Sequence, residues 1–387
     1  MKPILRFTNF DNDWEEIELL KIASEISYGM NAASKEYDGE NKYIRITDID
    51  EQTNKYIHKN IVSPDCNLEE KFLVKENDIL FARTGASTGK TYLYDKNDGK
   101  LYYAGFLIKA NIINHNANFI FQQTKLNKYN SWVKIMSMRS GQPGINSQEY
   151  GSYKFSITNP EEENKISDFL SLLDKKIELQ SKKIEDLKLF KKGLIRDFYN
   201  EYNLRQIEIK EIGKIVTGTT PSKSINSYWD NGNIAWVTPT DINDSRDIND
   251  SFFKITDKGL NKGKFIPKNS VLVTCIASIG KNAVLKVDGS CNQQINAIIP
   301  NKNFNYNYVY YLIESISNYM KSIAGTSATS IINKEEFSKI IVKVHSKEKQ
   351  DYIASVLSQF EIKILLEISK LNKFYQLKKG LMQNMFV

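Results

Sequence analysis

Residues 161–198 read EEENKISDFLSLLDKKIELQSKKIEDLKLFKKGLIRDF, and residues 348–385 read EKQDYIASVLSQFEIKILLEISKLNKFYQLKKGLMQNM. The two stretches align without a gap at a constant offset of 187, and both carry Lys-Lys-Gly-Leu near their ends. Apolar positions in the first copy, Ile166, Leu170, Leu173, Ile177, Ile184, Leu187, Leu194 and Phe198, follow alternating steps of four and three, which is a heptad seam. The second copy repeats it with Ile353, Leu357, Phe360, Ile364, Leu371, Phe374, Leu381 and Met385. Its polar interruptions repeat in register too: Gln180 and Lys191 answer Glu367 and Lys378. A helix of about 38 residues is roughly 57 Å long and needs a partner along its length. The matched seams predict that the two helices pack on each other as an antiparallel coiled coil, which would put the intervening domains at opposite ends. The alternative is two ordinary amphipathic core helices in separate domains.

Working outward, the flanking segments 1–160 and 199–346 are also related. Trp14, Ile17 and Leu19 open the first as Leu204, Ile207 and Ile209 open the second, and a glycine follows in each, Gly29 or Gly218. Tyr43 to Ile49 answers Trp236 to Ile242, and Asn77-Asp78-Ile79-Leu80 answers Asn269-Ser270-Val271-Leu272. Ala86-Ser87-Thr88-Gly89-Lys90 answers Ala277-Ser278-Ile279-Gly280-Lys281, and Gly141 to Asn146 answers Gly325 to Asn333. Short apolar runs bounded by Gly, Asn and Asp predict strands near 79–83, 103–113 and 271–276, with helices near 118–138 and 306–323. The expected fold is α+β, with an internal pseudo-twofold repeat: a domain over 1–160, a long helix over 161–198, a second domain over 199–346 and a second long helix over 347–387.

The chain has 387 residues and a formal net charge of +7, with 41% hydrophobic residues. The charge is uneven: 1–160 and 161–198 are each neutral, 199–346 carries +4 and 347–387 carries +3. That footprint neither requires nor excludes nucleic acid, so DNA contacts would have to come from local loops. No apolar run reaches the length of a membrane span and the N-terminal stretch lacks an apolar signal core, so a cytoplasmic location and no membrane partner are expected. Cys66, Cys275 and Cys291 are widely spaced, as are His58, His115 and His345, and neither set has metal-ligand or catalytic spacing. No metal and no catalytic residue is expected.

Gly85-Ala86-Ser87-Thr88-Gly89-Lys90-Thr91 imitates a phosphate-binding loop, but the position that must be Gly is Thr84. The counterpart around Lys281 lacks both that glycine and the hydroxyl for magnesium. What remains is a strand ending in a tight turn that presents a hydroxyl and a lysine, twice. Lys90 and Lys281 could contact phosphate or could be solvated turn lysines.

Three further features bear on family: the run Gly218-Thr219-Thr220-Pro221-Ser222 with Tyr228-Trp229 and Ile234-Ala235-Trp236-Val237, the paired Gly89-Lys90 and Gly280-Lys281 turns, and the Lys-Lys-Gly-Leu helix ends. In this order, and twice over, they resemble the specificity (S) subunits of type I restriction-modification systems. The first domain has Tyr28-Gly29-Met30-Asn31 where the second has the longer Gly218 run. The resemblance implies two target recognition domains, each reading one half of a split site on double-stranded DNA, with the helix pair setting the spacer and docking two methyltransferase (M) subunits. The chain would be non-catalytic and bind no cofactor itself. S-adenosylmethionine, ATP and Mg would belong to the M subunits and to two restriction (R) subunits. Candidate DNA contacts in the first domain are Arg83, Thr84, Ser87, Lys90, Arg139, Gln142 and Asn146. In the second they are Thr219, Thr220, Ser222, Lys223, Ser278, Lys281, Thr326 and Ser327. Arg and Gln suit bidentate contacts to guanine and adenine, and lysines suit phosphates. The competing class is a two-headed coiled-coil adaptor that binds proteins with both domains.

Overall fold

The computed structural model describes residues 1–138, 144–243, 245–324 and 331–387. Contacts divide the chain into two compact units, Met1–Gln180 with Lys370–Val387, and Ser181–Ser369. Each unit thus holds one globular domain and a part of each long helix.

The long helices run Pro160–Tyr199 and Lys347–Met385. The first begins where the sequence makes a helix easy to start. Asn159 Oδ1 accepts the Glu162 amide at 2.8 Å, Pro160 needs no amide partner, and Glu161, Glu162 and Glu163 oppose the positive helix end. In the first unit Ile166 and Leu170 share a core with Met382 and Met385, and Asp174 meets Lys378 at 2.5 Å. In the second, Lys183 meets Glu367 at 2.9 Å, Lys191 meets Glu361 at 2.7 Å, and Ile195 and Tyr199 share a core with Ile353 and Leu357. Partners rise along one helix as they fall along the other, so the pairing is antiparallel within each unit.

Each helix buries its seam best toward its own start: Ile166, Leu170, Leu173, Ile177 and Ile184 are buried on the first, as are Ile353, Leu357 and Ile364 on the second. Leu187, Leu194, Phe198, Phe360, Leu371, Phe374 and Leu381 are only half-buried. Near its end the first helix turns Ile195 and Tyr199 inward instead. Tyr199 Oη donates to the Tyr308 carbonyl at 2.9 Å and its ring packs on that of Tyr308, so the second domain's core sets the inward face there. The polar seam positions are partnered, Lys191 by Glu361 and Glu314, Glu367 by Lys183, and Lys378 by Asp174.

In the first unit, a four-stranded antiparallel sheet runs Ala23–Tyr28, Leu107–Ile112, Asp78–Ala82, Thr91–Leu93, and Lys42–Ile44 pairs in parallel with Leu101–Tyr103. The opening strand Glu15–Glu18 pairs with the closing strand Lys154–Ile157. The expected run 103–113 is two strands, because Ala104 to Phe106 form a turn between them. The expected helix 118–138 is likewise two helices, Ala117–Gln123 and Asn127–Ser137. Thr124 Oγ1 donates back to the Phe121 carbonyl at 2.8 Å and Gln123 turns its amide to the Ser156 carbonyl at 2.7 Å, and the first helix ends there.

In the second unit, Gly213–Thr217, Ile295–Pro300, Val271–Thr274, Asn282–Leu285 and Asp247–Ile248 form a five-stranded sheet. Phe253–Ile255, Ile234–Val237 and Gly289–Cys291 form a smaller one, and Arg205–Glu208 pairs with Ile341–Val344 as the opening and closing strands. The helix Tyr306–Ile323 is unbroken.

The duplication extends to individual hydrogen bonds. The Leu19 amide donates to the Tyr153 carbonyl at 2.9 Å, and the Ile209 amide donates to Ile340 at 3.0 Å. Asn116 caps Ala117–Gln123 and Asn305 caps Tyr306–Ile323, and each cap's amide is taken by the long helix beside it, through Glu163 or Gln350. Gly29 and Gly218, placed in dissimilar sequence, prove equivalent: their amides donate to Leu107 and Ile295, and a Cβ at either would lie 2.2 or 2.1 Å from a carbonyl oxygen, of Ala104 or Asn292, in the turn before that strand.

Candidate nucleic-acid interface

The repeated strand-turn-lysine elements are built alike. After Asp78–Ala82 the chain bends at Gly85 and Gly89, both at positive φ; after Val271–Thr274 it bends at Ala277 and Gly280, both again at positive φ. The Gly89 amide donates to Ala82 at 2.9 Å and the Gly280 amide to Thr274 at 3.0 Å, each closing the turn onto its own strand. Glycine is required at the second bend for space as well, since a Cβ would meet Val133 in one domain and Ser317 in the other at 2.5 Å. These turns are not phosphate cradles. In the first, the amides of Thr88, Gly89 and Lys90 are already donated to Gly85, Ala82 and Ser87.

In the first domain Lys90 is held by Glu51 at 2.8 Å. Thr84 bridges to Gly144, and Ser87 lies half-buried in the turn, its carbonyl taken by Lys90. Asn146 is occupied structurally, its side chain capping the helix Ser147–Ser152 in a reciprocal box with Glu149. Arg139 and Gln142 lie outside the described residues. Arg83 is half-buried, with its guanidinium 4.8 Å from the centre of the Tyr28 ring. Tyr28 is itself fixed, because its hydroxyl accepts the Ser147 amide at 3.0 Å.

In the second domain the loop after Gly218 is anchored by two tryptophans. Trp236 Nε1 donates to the Thr219 carbonyl and Trp229 Nε1 to the Ser222 carbonyl, both at 3.0 Å, and the two rings meet edge to face at 4.9 Å. Thr220 donates to Gln293 at 2.5 Å, Ser222 shares a hydrogen bond with Ser224, and the Lys223 ammonium sits 5.7 Å from the Phe253 ring. The Thr219 hydroxyl is buried without a hydrogen-bond partner among the described residues. Ser278 and Lys281 line a shallow recess with Lys321 of the helix Tyr306–Ile323, which brings two ammonium groups beside one hydroxyl. Thr326 and Ser327 lie outside the described residues.

Sequence reading named Tyr28, Trp229 and Trp236 only in the runs that carry the family resemblance, gave them no place at the site, and missed the exposed Phe106 across from Arg83 and the Phe253 that meets Trp236. Tyr28 stands next to Gly29, so a glycine forced by a neighbouring turn was the available signal.

Burial pushes the Cys275 thiol up to about 11 and the Cys291 thiol up to about 12, away from the reactive thiolate. Burial lowers His345, whose Nδ1 shares a 2.8 Å hydrogen bond with Tyr308, and His115 is bound to Glu163 at 2.9 Å. Among the described residues no cluster of His, Cys, Asp or Glu could hold a metal ion, and no helix is long and apolar enough to cross a membrane.

Comparison with known proteins agrees with this geometry. The chain is 34% identical over 160 residues to the type I restriction enzyme MjaIX specificity subunit of Methanocaldococcus jannaschii, a match spanning 40% of this chain and 37% of that one. It is 24% identical to the HindI specificity subunit of Haemophilus influenzae across 87% of this chain and 91% of the relative. With the EcoR124I/EcoR124II specificity subunit of Escherichia coli it shares 31% identity over 218 residues, 52% of this chain and 54% of that one. In fold it is similar to a type I restriction-modification S subunit from M. genitalium, with a TM-score of 0.62 at 14% identity, covering 100% of this chain and 99% of that one. The type I restriction modification DNA specificity domain matches twice, over residues 12–189 and 203–374. Matched over nearly its whole length by this repeated domain, the chain belongs to the type I restriction-modification DNA specificity family.

Proposed function

We propose that this chain is the non-catalytic specificity subunit of a type I restriction-modification complex and reads a bipartite DNA site. Each domain reads one half through the major groove, where every base pair presents a distinct donor and acceptor pattern. The helix pair sets the spacer between the halves. The observation that carries the reading is that one strand-turn framework is built twice with the same backbone hydrogen bonds, while its loops carry different polar side chains. A shared frame with variable readers is what two independent half-site readings need.

The same reading gives the outer faces of the helices to two modification subunits. Leu172, Leu179 and Leu189 on one helix, and Ile362, Leu365, Leu366 and Leu377 on the other, are each more than half exposed, an apolar load that water does not favour. Those subunits would supply S-adenosylmethionine and turn the target adenine out of the duplex. Two restriction subunits would bring ATP and Mg.

The test is to co-express the chain with the modification subunit encoded beside it in an unmethylated host and to map modified bases genome-wide. The expected result is a split motif methylated on both strands only when this chain is present. An intact, co-purifying pair that methylates nothing would refute DNA reading and leave an adaptor of proteins.

A further inference from the structure

Arg6, Arg45, Arg196, Arg205 and Arg246 each lie within ion-pair distance of a carboxylate. Arg83 is the exception: no ion pair engages it among the described residues, and its one hydrogen bond from the guanidinium is a long 3.5 Å contact from Nη1 to the Gly105 carbonyl. A guanidinium half-withdrawn from water with no acid beside it among the described residues keeps most of its donors for a partner that can accept them. Its position is also fixed. The Arg83 amide donates to the Phe106 carbonyl at 3.0 Å, its own carbonyl accepts from Ile145 at 2.8 Å, and the guanidinium lies over the Tyr28 ring, which the Ser147 amide holds.

The duplicated frame says which kind of contact this is. Contacts to phosphate carry no sequence information and can recur in both domains, as the turn lysines Lys90 and Lys281 do. The residue equivalent to Arg83 is Cys275, whose amide donates to Gln294 at 2.9 Å and whose carbonyl accepts from Ile332 at 2.9 Å. Thr217 stands in place of Tyr28, and there a buried chain runs from Thr217 through Asn296 to Cys275 with no cation. One backbone site therefore presents a braced arginine fork in one domain and a closed, uncharged plug in the other. That divergence belongs to a base reader.

We propose that Arg83 reads a guanine in the half-site bound by the first domain, donating to the O6 and N7 acceptors of its major-groove edge, and that Tyr28 is the positioning residue that holds the fork in plane. This inference rests on the DNA-reading role proposed above. The second domain makes no such contact at its equivalent site, so loss of Arg83 should alter one half of the motif only.

The experiment compares motifs methylated by the complex of the full chain with its modification subunit, for the wild type and for Arg83→Ala, Tyr28→Leu and Tyr28→Phe. Arg83→Ala should relax a single guanine in one half-site, with discrimination there falling by about 5- to 150-fold, the worth of one bidentate pair, and the other half unchanged. Tyr28→Leu should relax the same position, and Tyr28→Phe, which keeps the ring but loses the hydroxyl that accepts the Ser147 amide, should relax it less. An unchanged motif for Arg83→Ala, relaxation at a base other than guanine, or uniformly weaker methylation with the motif intact would each overturn the inference, the last marking a phosphate contact. To guard against a variant that fails to assemble, the wild-type complex is also tested on duplexes carrying 7-deazaguanine at each guanine of its motif in turn, which removes only N7. Equal affinity for modified and unmodified duplex at every guanine would overturn the inference without any variant. A wild-type complex that methylates no split motif sinks the DNA-reading role itself, whereas a wild-type motif that survives Arg83→Ala sinks this inference alone.

Discussion

The duplicated helix pair contains one local inversion of charge, and it predicts a stabilising mutation. In the second unit Lys191 sits between two carboxylates, 2.7 Å from Glu361 and 3.3 Å from Glu314. In the first unit the equivalent lysine is Lys378, held by Asp174 at 2.5 Å, but at the same remove from the capping asparagine where the second domain has Glu314 the first has Lys125. Lys125 lies against the Phe121 ring at 4.3 Å, and burial, then repulsion from Lys378, lowers its ammonium to about 7 from the ordinary 10.5. Lys125→Glu should recreate the arrangement around Lys191. Attraction across 3.3 Å at an effective dielectric near 20 is about 5 kcal/mol, and dehydration of the pair with side-chain ordering takes most of it back, leaving about 1 to 2 kcal/mol. For a unit of this size that is about 2 to 8 °C in melting temperature, read by calorimetry at pH 7. The pH dependence supplies a second readout. The unfolded chain keeps the Lys125 proton up to about 10.5 while the folded one gives it up near 7, so the native state binds fewer protons in that window and stability rises with pH across it. The variant should lose that rise. A lower melting temperature at pH 7, or an unaltered rise between pH 7 and 10, would refute the reasoning; Glu314→Lys, placing a cation beside Lys191, should destabilise.

Arg6 makes a two-pronged bond to the fully buried Glu162, at 2.7 and 2.8 Å, which also accepts from Trp14 and Thr158. Arg6→Ala should cost about 3 to 5 kcal/mol in denaturant unfolding of the first unit, since it strands a buried carboxylate, and a loss under about 1 kcal/mol would count against it. Four residues of helix inserted near Asp186 should lengthen the unread spacer of the methylated motif and leave both half-sites intact, whereas altered half-sites with the old spacer would contradict the role given to the helices. Exchanging 1–160 for the corresponding domain of a relative should change one half-site, and a change in both would defeat the assignment of one domain to each half.

The sequence made legible whatever repeats or is periodic. The helices at Pro160–Tyr199 and Lys347–Met385 lie within a residue or two of their expected ends, because heptad spacing, the Asn159 cap and the acidic first turn all act locally. The equivalence of Ala86 to Lys90 with Ala277 to Lys281 was legible for the same reason, glycine being forced at both Gly89 and Gly280. Tertiary choices were hidden. Nothing local decides that the helix ends at Gln123, since the Gln123 amide answers to Ser156, 33 residues on, and the Thr124 bond to the Phe121 carbonyl is one that threonines also make inside helices. The inward turn of Ile195 and Tyr199 depends on Tyr308, far away in sequence. Of the candidate readers, Asn146 shows the limit: Asn and Glu three residues apart signal a cap as readily as a base contact, and here the asparagine caps.

The two domains keep one frame and differ in the side chains it carries. Gly29 and Gly218 survive in unlike sequence because a carbonyl oxygen of the neighbouring turn, Ala104 or Asn292, leaves no room for a side chain. Asn77 and Asn269 hold the same positive φ before the central strand, and Asp48 and Asp241 take the amides of Arg45 and Thr238 in the same way. Where no such constraint acts, the copies diverge in chemistry rather than in path: Tyr28 against Thr217, Arg83 against Cys275, Phe106 against Gln294. A drifting loop would lose backbone hydrogen bonds along with side-chain identity. Here the Phe106 and Gln294 carbonyls still accept the amides of Arg83 and Cys275, at 3.0 and 2.9 Å, so the divergence is confined to side chains and leaves the backbone path intact.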